Sequence, residues 1–554
     1  MTAIRSRPIT TLMGHNPATG EWNDSLTGDY LWSNANAAEA VPDVMTPLTW
    51  SLWQAFHVET LPFAIPGEHP FAGNICGRAY FNFSLVTSIY RLAGDAQDAL
   101  HRTEEVLGRV PEGIDVPLVP FPRSALFSLF IGNLPWEFRY WRLVRGMPEF
   151  LATSPEWCRR MGQRLRSRER PGAEAALFSI WREEVRPFLY HTFWMLRAGM
   201  KLFSDQAVRL DRELTELVGT ADANALLSNL SGNEELASLG PVLGVARVAR
   251  GDMSREAYLA RYGHRGPHEA ELSAPRPAED PPWLDRQLEA FHKSPVDVQA
   301  LLARQSASFD AAWARFERQH PRRAEAMGRR LERAAEAARV REAIRSEVTR
   351  VVGVVRAFAL RAGELTGLGN GVFFLCLDEL LDVLSGDEPA TRHIAARQET
   401  YDAYCALPPY PTIIRGRFDP FEWAADPNRR SDVYDANAIA PPSDGTITGF
   451  AGAVGRVEGL VRHLHSAEDG DQLRPGEILV AVTTNVGWTP LFPRAAAVVT
   501  DVGAPLSHAA IVARELGIPA VVGCGDATMR LKTGDRVLVD GGRGTVQILD
   551  STDR

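Results

Sequence analysis

The chain has 554 residues, which is too long for one ordinary domain, so we expect between two and four. Hydrophobic residues make up 45% and charged residues 23%, as is usual for a globular protein. The formal net charge of −9 excludes a generally basic surface of the kind that binds nucleic acid, although a local basic patch is compatible with it.

The N-terminal residues have no apolar core of the signal-peptide type, and no uncharged apolar run reaches the roughly 18–20 residues that span a bilayer. The cysteines are scattered without a CxxC pair, which favours reduced thiols over a disulfide framework or a zinc site: Cys76, Cys158, Cys376, Cys405 and Cys524. We therefore expect a cytoplasmic protein that does not bind membranes.

Residues 1 to about 290 mix aromatic residues, Pro and Gly with helical stretches at 88–110 and 174–210. Residues from about 290 to 365 are dense in Ala, Arg and Glu, and their apolar residues recur at helical spacing. This pattern predicts a helical hairpin, and we interpret its charges as a solvated helix face.

The last 110 residues or so differ from the rest, because short β-branched runs alternate with glycines. They predict strands at 476–482, 495–501, 519–524, 535–541 and 544–549. One helix interrupts them, from about Ser507 to Leu516, with Gly517 in the C-cap position. The prediction is a multidomain α+β protein with a mainly helical domain at 1–435, a linker at 436–445 and a strand-rich domain at 446–554.

Residues 498–523 read as strand, glycine turn, helix, glycine and strand, and they place His508 in the first helical turn. The free amide groups and positive dipole of a helix N-terminus suit an anion, and a neutral imidazole is a nucleophile near pH 7. Small residues leave room for a phosphoryl group on the ring: Gly503, Ala504 and Ala509. The pattern predicts a phosphohistidine, and the alternative is a capped helix whose histidine only packs.

Three stretches, TDVGAPLSHAAIVARELGIPAVVG, LKTGDRVLVDGGRGTV and GFAGAVGRVEGLVR, closely resemble the swivelling β/β/α phosphohistidine domain of the phosphoenolpyruvate-utilising enzymes. The resemblance implies that His508 carries the phosphoryl group and that Ser507 stands where the family has Ser, Thr or Cys. Arg514 belongs to the same candidate site, where the resemblance favours a structural or docking contact over a catalyst. The chain departs from the family in the turn, where Gly503-Ala504 replaces Gly-Gly.

Residues 20–50, 261–284 and 372–380 resemble the acceptor-binding region of the rifampicin phosphotransferases. Arginine offers a fork for phosphate oxygens, and histidine or glutamate can take a proton from an attacking hydroxyl. The candidate acceptor residues are His264, Arg265, His268, Glu269, Glu271, Asn34, Asn36 and Glu39. The alternatives are a polar turn closed by salt bridges for the first five and simple turn caps for the last three.

The chain ends 46 residues after His508, which leaves no room for a phosphoenolpyruvate-binding barrel, and the acceptor-like motif begins near Asn16. No GxxxxGK[ST] loop is present. We therefore expect a split arrangement that resembles phenylphosphate synthase, in which a separate ATP-grasp chain binds Mg-ATP. This chain itself is expected to bind no cofactor or metal, and the acceptor is expected to be a small molecule with a hydroxyl group.

Three other interpretations stay open at this point. Phosphorylation could activate a hydroxyl for elimination in a dehydrating biosynthetic system. The chain could also be a non-catalytic relic that binds a ligand or a partner, or a carrier in a phosphorelay. The intact Ser507-His508 pair counts against the relic, and the size of the acceptor-like domain counts against the simple carrier.

Overall fold

The computed structural model describes residues 14–61, 69–92, 94–111, 113–122, 124–167, 173–228, 237–293, 295, 297–387, 389–437, 446–505 and 507–550. It confirms a multidomain α+β protein, with a large, mainly helical N-terminal lobe and a smaller C-terminal lobe built on one sheet. Within these ranges, no helix combines the length and the apolar character that crossing a bilayer requires.

The helices of the N-terminal lobe follow one another as α1 (Ala37–Ala40), α2 (Pro47–Glu59), α3 (Phe83–Arg91), α4 (Ala96–Leu107), α5 (Ser124–Arg166), α6 (Ala173–Ile180), α7 (Arg186–Leu227), α8 (Gly240–Arg250), α9 (Arg255–Tyr262), α10 (Pro281–Lys293), α11 (Val298–Gln319), α12 (Ala324–Thr366), α13 (Leu377–Leu384), α14 (Ile394–Cys405) and α15 (Pro420–Ala425). The long helices α5, α7 and α12 form the main core, where buried residues such as Trp181, Phe193, Val351 and Phe358 pack together. This core fixes α12, which carries part of the site described below.

A five-stranded sheet joins the two ends of the N-terminal lobe. The strands of this lobe are β1 (His15–Asn16), β2 (Glu21–Trp22), β3 (Leu31–Ser33), β4 (Ala72–Ile75), β5 (Arg78–Asn82), β6 (Ile413–Arg415) and β7 (Val433–Asp435). The sheet order is β4-β5-β3-β6-β7, so β6 pairs antiparallel with β3 and parallel with β7. The early segment that leads into α1 is therefore held against the end of the lobe.

The C-terminal lobe contains strands β8 (Ile447–Thr448), β9 (Phe450–Ala453), β10 (Arg456–His463), β11 (Ile478–Ala481), β12 (Ala497–Thr500), β13 (Ala520–Val522), β14 (Arg536–Asp540) and β15 (Thr545–Asp550), and helices α16 (His508–Leu516) and α17 (Ala527–Arg530). They form one eight-stranded sheet in the order β8-β15-β14-β10-β11-β12-β13-β9, with β10 to β13 parallel. Helix α16 connects β12 to β13 and ends at Gly517, whose φ of +65° is the left-handed conformation of a helix C-cap.

The two lobes share a hydrophobic core. Phe203 of α7 and Ala338 of α12 belong to the same buried cluster as Ala510 and Ile511 of α16. Such an interface buries the start of α16 against the N-terminal lobe. The predicted linker at 436–445 falls almost entirely outside the described residues, because only Ala436 and Asn437 are described.

Candidate active site

His508 is the first residue of α16, and the preceding loop fixes its direction. Ser507 is the N-cap: its Oγ accepts a hydrogen bond from the Ala510 amide at 3.3 Å. The Ser507 amide in turn donates to the Ala504 carbonyl at 2.9 Å. Gly503 has a φ of +148°, and a Cβ there would lie 3.0 Å from Cβ of Val522, so this turn suits glycine.

The His508 side chain is buried, with 1% of its surface exposed, and its Nε2 lies 3.2 Å from the Thr489 hydroxyl oxygen. Burial lowers the pKa of His508 to about 3, and the positive charges of Arg345, Arg265 and Arg341 act in the same direction against Glu342. The imidazole is therefore neutral at pH 7. When the Thr489 hydroxyl donates to Nε2, that nitrogen is the unprotonated one, and its lone pair can attack once this hydrogen bond breaks.

The sequence predicted that the charged residues of α12 face solvent. This interpretation is wrong for Arg341, Glu342 and Arg345, which lie in the lobe interface. Glu342 is buried, and its Oε1 lies 3.4 Å from a guanidinium nitrogen of Arg341 and 3.9 Å from one of Arg345. The Arg341 guanidinium also lies 4.9 Å from the ring centre of Phe203. Burial raises the pKa of Glu342, but the charges of Arg345 and Arg341 outweigh it and hold this pKa below its ordinary value.

Arg265 supplies a third buried cation beside His508. Its guanidinium donates twice to the Glu269 carboxylate, at 2.8 and 3.3 Å, while Nη1 is buried without a hydrogen-bond partner. The neighbouring His264 places Nε2 2.8 Å from the Ser346 hydroxyl of α12. Burial, together with the charge of Arg350, holds the pKa of His264 well below its usual range. Arg265 can therefore bind phosphate oxygens, with Glu269 and His264 shaping the loop around it.

The other two candidates of this loop have different surroundings. His268 places Nδ1 2.8 Å from the Asp43 carboxylate, and this hydrogen bond raises the pKa of His268. Glu271 accepts hydrogen bonds from the Thr46 amide at 3.1 Å and the Thr46 hydroxyl at 2.9 Å, at the N-cap of α2. Glu271 thus fixes the start of a helix, a role that neither the acceptor-site prediction nor the alternative of a turn closed by salt bridges included.

The early motif contributes one residue directly to the His508 environment. Oε2 of Glu39, on α1, accepts a hydrogen bond from the backbone N–H of His508 at 3.2 Å, and its Oε1 is buried without a partner. Asn34 donates from Nδ2 to the Tyr80 hydroxyl at 3.2 Å and has its Oδ1 unpartnered. Asn36 donates to the Val106 carbonyl and so connects the start of α1 to α4.

Arg514, which the resemblance placed in the candidate site as a structural or docking contact, is bound by two backbone carbonyls. Its Nε donates to the Gly452 carbonyl at 2.8 Å, and its Nη2 donates to the Pro505 carbonyl. Because both contacts lie within the C-terminal lobe, Arg514 positions the loop before His508. Ala509, predicted to give space, packs instead into the shared core of the lobes, and Ala504 is buried in the turn.

A cleft of about 480 Å³ lies between the lobes, which is within the usual range for small-molecule sites. Its N-terminal wall includes Asn34, Ala38, Asp43, Arg78, His268, Glu271, Tyr401 and Tyr410, and its C-terminal wall includes His465, Thr483, Asn485, Trp488 and Val502. Ala38 and Trp488 are the chain neighbours of Glu39 and Thr489, the two residues in hydrogen-bonding contact with His508. The cleft therefore adjoins the His508 environment from both lobes.

Sequence reasoning missed Thr489, Arg341, Glu342 and Arg345. Thr489 lies in a 3₁₀ segment, Val486–Arg494, and no local sequence pattern predicts that this segment contacts α16. Among the described residues, no cluster of three or more His, Cys, Asp or Glu side chains is arranged to hold a metal ion. The candidate site consists of the neutral His508 and the Thr489 hydroxyl, three arginines, and the carboxylates of Glu39, Glu269 and Glu342.

These features define a class of two-lobed proteins in which a small β/α domain presents a helix-N-terminal histidine to a mainly helical lobe. Residues 473–544 match the model of the "PEP-utilising enzyme, mobile domain". The C-terminal lobe therefore contains a match to the mobile domain of the PEP-utilising enzymes over these residues.

Similar proteins extend the likeness into the N-terminal lobe. The chain is 33% identical over 321 residues to chondramide synthase cmdD of Chondromyces crocatus, covering 53% of this chain and 8% of that protein. It is 30% identical over 361 residues to the prodigiosin synthesizing transferase PigC of Serratia marcescens, covering 60% and 38%. It is 36% identical over 178 residues to a rifampicin phosphotransferase of Streptomyces sviceus, covering 32% and 19%. The chain thus spans well under half the length of each of these relatives.

Proposed function

We propose that this chain is a phosphotransferase component in which His508 carries a phosphoryl group from ATP to a hydroxyl of a small acceptor. One observation carries the proposal: His508 is a buried, neutral histidine that faces Arg265, Arg341 and Arg345 across the lobe interface. A packing histidine has no need of three cations around it. The family of the C-terminal lobe and the name of the rifampicin phosphotransferase support the same reaction class.

The charge of the site favours a phosphorylated histidine. Glu269 pairs with Arg265, and Glu342 lies beside both Arg341 and Arg345, so the three guanidinium groups exceed these two carboxylates by one charge while Glu39 is protonated. A phosphoryl group on His508 would place negative charge beside these positively charged guanidinium groups. Arginines fixed in a water-poor site stabilise the charge that spreads over the transferring group.

The acceptor would bind in the cleft of about 480 Å³ between the lobes. In the transfer, the acceptor oxygen forms a bond to phosphorus while the bond between phosphorus and the His508 ring nitrogen breaks. The electron pair of that bond returns to the ring, and burial favours the neutral imidazole that results. Docking of the lobes excludes water, which would otherwise compete as the acceptor.

Mg-ATP would be bound by a separate ATP-grasp chain, where His508 attacks the β-phosphate and releases AMP, and loss of phosphate from the pyrophosphoryl group leaves phosphohistidine. His508 cannot meet a nucleotide on another protein while it is buried at the lobe interface. The C-terminal lobe would therefore swing between two positions, pivoting on residues 436–445. Hinge motion of this kind occurs on microsecond to millisecond timescales and often limits turnover.

The test uses β-³²P-ATP and the purified chain, alone and with a candidate ATP-grasp partner. We expect acid-labile, base-stable label that needs both the partner and His508, and that is absent from His508→Ala. His101→Ala is the matched control, because His101 is an exposed histidine of α4 whose side chain pairs with Glu105. Equal labelling of wild type and His508→Ala would refute the phosphohistidine, and label without a partner would place the nucleotide site on this chain.

A further inference from the structure

The carboxylates around His508 differ in the hydrogen bonds and ion pairs that they form. Glu342 lies beside Arg341 and Arg345, and Glu269 is bound by Arg265 in two hydrogen bonds. The charges of Arg345 and Arg341 lower the pKa of Glu342 and hold it as an anion, and the oxygens of Glu269 are engaged by Arg265. A carboxylate whose negative charge is stabilised by neighbouring cations is a poor acceptor for a proton.

Glu39 differs from Glu342, whose Oε1 also lacks a hydrogen bond but lies within 4 Å of two arginines. The side chain of Glu39 is buried, its Oε2 accepts the His508 N–H at 3.2 Å, and its Oε1 has no hydrogen-bond partner. No ion pair within 4 Å involves it in the described part of the chain, although Arg345 and Arg341 act on it from α12 at longer range. Oε2 thus orients the carboxylate against the backbone of His508, and Oε1 is available to accept a proton.

The placement of Glu39 relates it to the acceptor as well as to His508. It lies on α1, directly after Ala38, and α1 follows Asn34; both of these residues line the interlobe cleft. A hydroxyl that enters the cleft and approaches phosphorus on His508 would therefore pass beside this carboxylate. General bases must lie within hydrogen-bonding reach of the proton that they remove.

We propose that Glu39 is the general base that takes the proton from the acceptor hydroxyl, a role that rests on the function proposed above. The O–H proton passes to Oε1 of Glu39 as the acceptor oxygen forms its bond to phosphorus. The bond between phosphorus and the ring nitrogen of His508 breaks, and its electron pair stays on that nitrogen. The proton leaves Glu39 when the product is released and the lobes separate.

The protonation equilibrium of Glu39 suits this task. Burial raises the pKa of Glu39 to about 7, against the His508 N–H hydrogen bond and the charges of Arg345 and Arg341, which lower it. The groups that face it are the charged Arg345 and Arg341 on α12, the Ser507 hydroxyl, whose hydrogen bond also lowers the pKa of Glu39, and the neutral His508. A base whose pKa lies near the operating pH is both ionised often enough and basic enough to be effective.

The experiment loads His508 chemically with potassium phosphoramidate on the full-length chain and follows loss of phosphohistidine by ³¹P NMR between pH 5.5 and 8.5. Glycerol serves as the hydroxyl acceptor. In the wild type we expect a rate limb that rises with pH through about 7, above the acid-catalysed breakdown of the phosphohistidine bond. Glu39→Gln should lose this limb, with transfer at pH 8 falling by about 100-fold, the lower end for loss of a general base.

Glu39→Gln keeps an oxygen that can accept the His508 N–H, so above about pH 6.5 docking should survive while the base is lost. Glu39→Asp keeps a carboxylate but shortens it, and should retain the pH limb at a reduced rate. Glu458→Gln is the control, because Glu458 pairs with Arg536 on the exposed face of the C-terminal sheet.

A wild-type pH profile in Glu39→Gln would overturn the inference and leave the phosphohistidine intact. A loss of rate by the same factor at every pH would also overturn it, because that result indicates a structural role. If His508 accepts no phosphoryl group from either phosphoramidate or the partner with ATP, the proposed function fails and the inference falls with it.

Discussion

The backbone N–H of His508 donates to Oε2 of Glu39 at 3.2 Å, although the two residues are 469 positions apart in the chain. The hydroxyl of Ser507 satisfies the Ala510 amide within the same helix. Part of the N-terminal capping of α16 therefore comes from its own loop and part from the other lobe. The first turn of α16 gains this second cap only when the lobes dock.

Gly487→Ala should weaken docking without damaging either lobe. A Cβ at Gly487 would lie 2.5 Å from Cα of Pro267, across the interface, and the adjacent Asn485 donates from Nδ2 to the Pro267 carbonyl at 2.6 Å. The added methyl group therefore forces the surfaces apart. We expect a larger radius of gyration by small-angle X-ray scattering and faster hydrogen exchange over residues 508–516, with far-UV circular dichroism unchanged.

The matched control is Gly353→Ala in α12. A Cβ at Gly353 has no atom within 4 Å outside its own helix, and alanine is the better helix former. This variant should dock as the wild type does. Equal scattering curves for Gly487→Ala and Gly353→Ala would contradict the interface.

The C-terminal lobe was predictable because its signals are local. Each predicted strand overlaps an observed one, and helix α16 begins at His508 and ends before Gly517 as the sequence indicated. A glycine at a helix end, a β-branched run and a histidine after an N-cap serine are recognisable without knowing the rest of the fold. The match to the PEP-utilising mobile domain agrees with that local reasoning.

The arginines of α12 could not be placed in the same way, because the surface that buries them belongs to another lobe. One signal was present in the sequence: Ala334, Ala338, Arg341, Arg345 and Val348 follow the i, i+4, i+7 spacing of a buried helix stripe. Because charged residues are rarely buried unless they are paired, charges of both signs at core positions of a helix are compatible with a buried ionic site. The partner surface itself required the tertiary structure.

Arg345→Met should lower phosphoryl transfer out of His508 by about 100-fold, in the range found when one transition-state donor is removed. No hydrogen bond satisfies the Arg345 guanidinium among the described residues, and its closest ionic contact is Glu342 at 3.9 Å, so it is available to the phosphoryl oxygens. The measurement is single-turnover transfer from ³²P-labelled His508 to glycerol. Labelling of His508 by the partner with ATP should be unchanged, because it takes place with the lobes apart.

Arg329→Met provides the comparison for Arg345→Met. Arg329 lies on the same helix, is mostly exposed and pairs with Glu325 one turn away. It should transfer at the wild-type rate. If both variants transfer equally fast, Arg345 does not act on the phosphoryl group.

Asp501 should make the stability of the C-terminal lobe fall as the pH rises. Its carboxyl group accepts hydrogen bonds from the amide of Thr528 at 3.1 Å and from the Thr528 hydroxyl, and burial raises its pKa to about 8 from 3.8. Because the folded state binds the proton more tightly, this stabilisation is complete below about pH 3.8 and is lost as the pH rises through 8. Urea unfolding of Asp501→Asn, which mimics the protonated form, should lose this slope between pH 5 and 9. The same slope in wild type and variant would exclude Asp501 as its source.

The docking equilibrium of the wild type should depend little on pH between about 4.5 and 6.5, because His508 and Glu39 act in opposite directions. Burial lowers the pKa of His508 from 6.5 to about 3 in the docked form, so acidification below 6.5 favours the undocked, protonated histidine by about tenfold per pH unit. Burial raises the pKa of Glu39 from 4.5 to about 7, so acidification over the same range favours the docked, protonated carboxyl group by a similar factor.

Single substitutions should therefore reveal opposite pH dependences that cancel in the wild type. Glu39→Gln leaves only the histidine and should undock as the pH falls from 6.5 to 4.5. His508→Gln leaves only the carboxyl group and should undock as the pH rises from 4.5 to 7. The radius of gyration by small-angle X-ray scattering, measured for each variant across this range, reports the docked fraction. Parallel curves for the two variants would show that these two buried groups do not control docking, since their proton balances predict slopes of opposite sign.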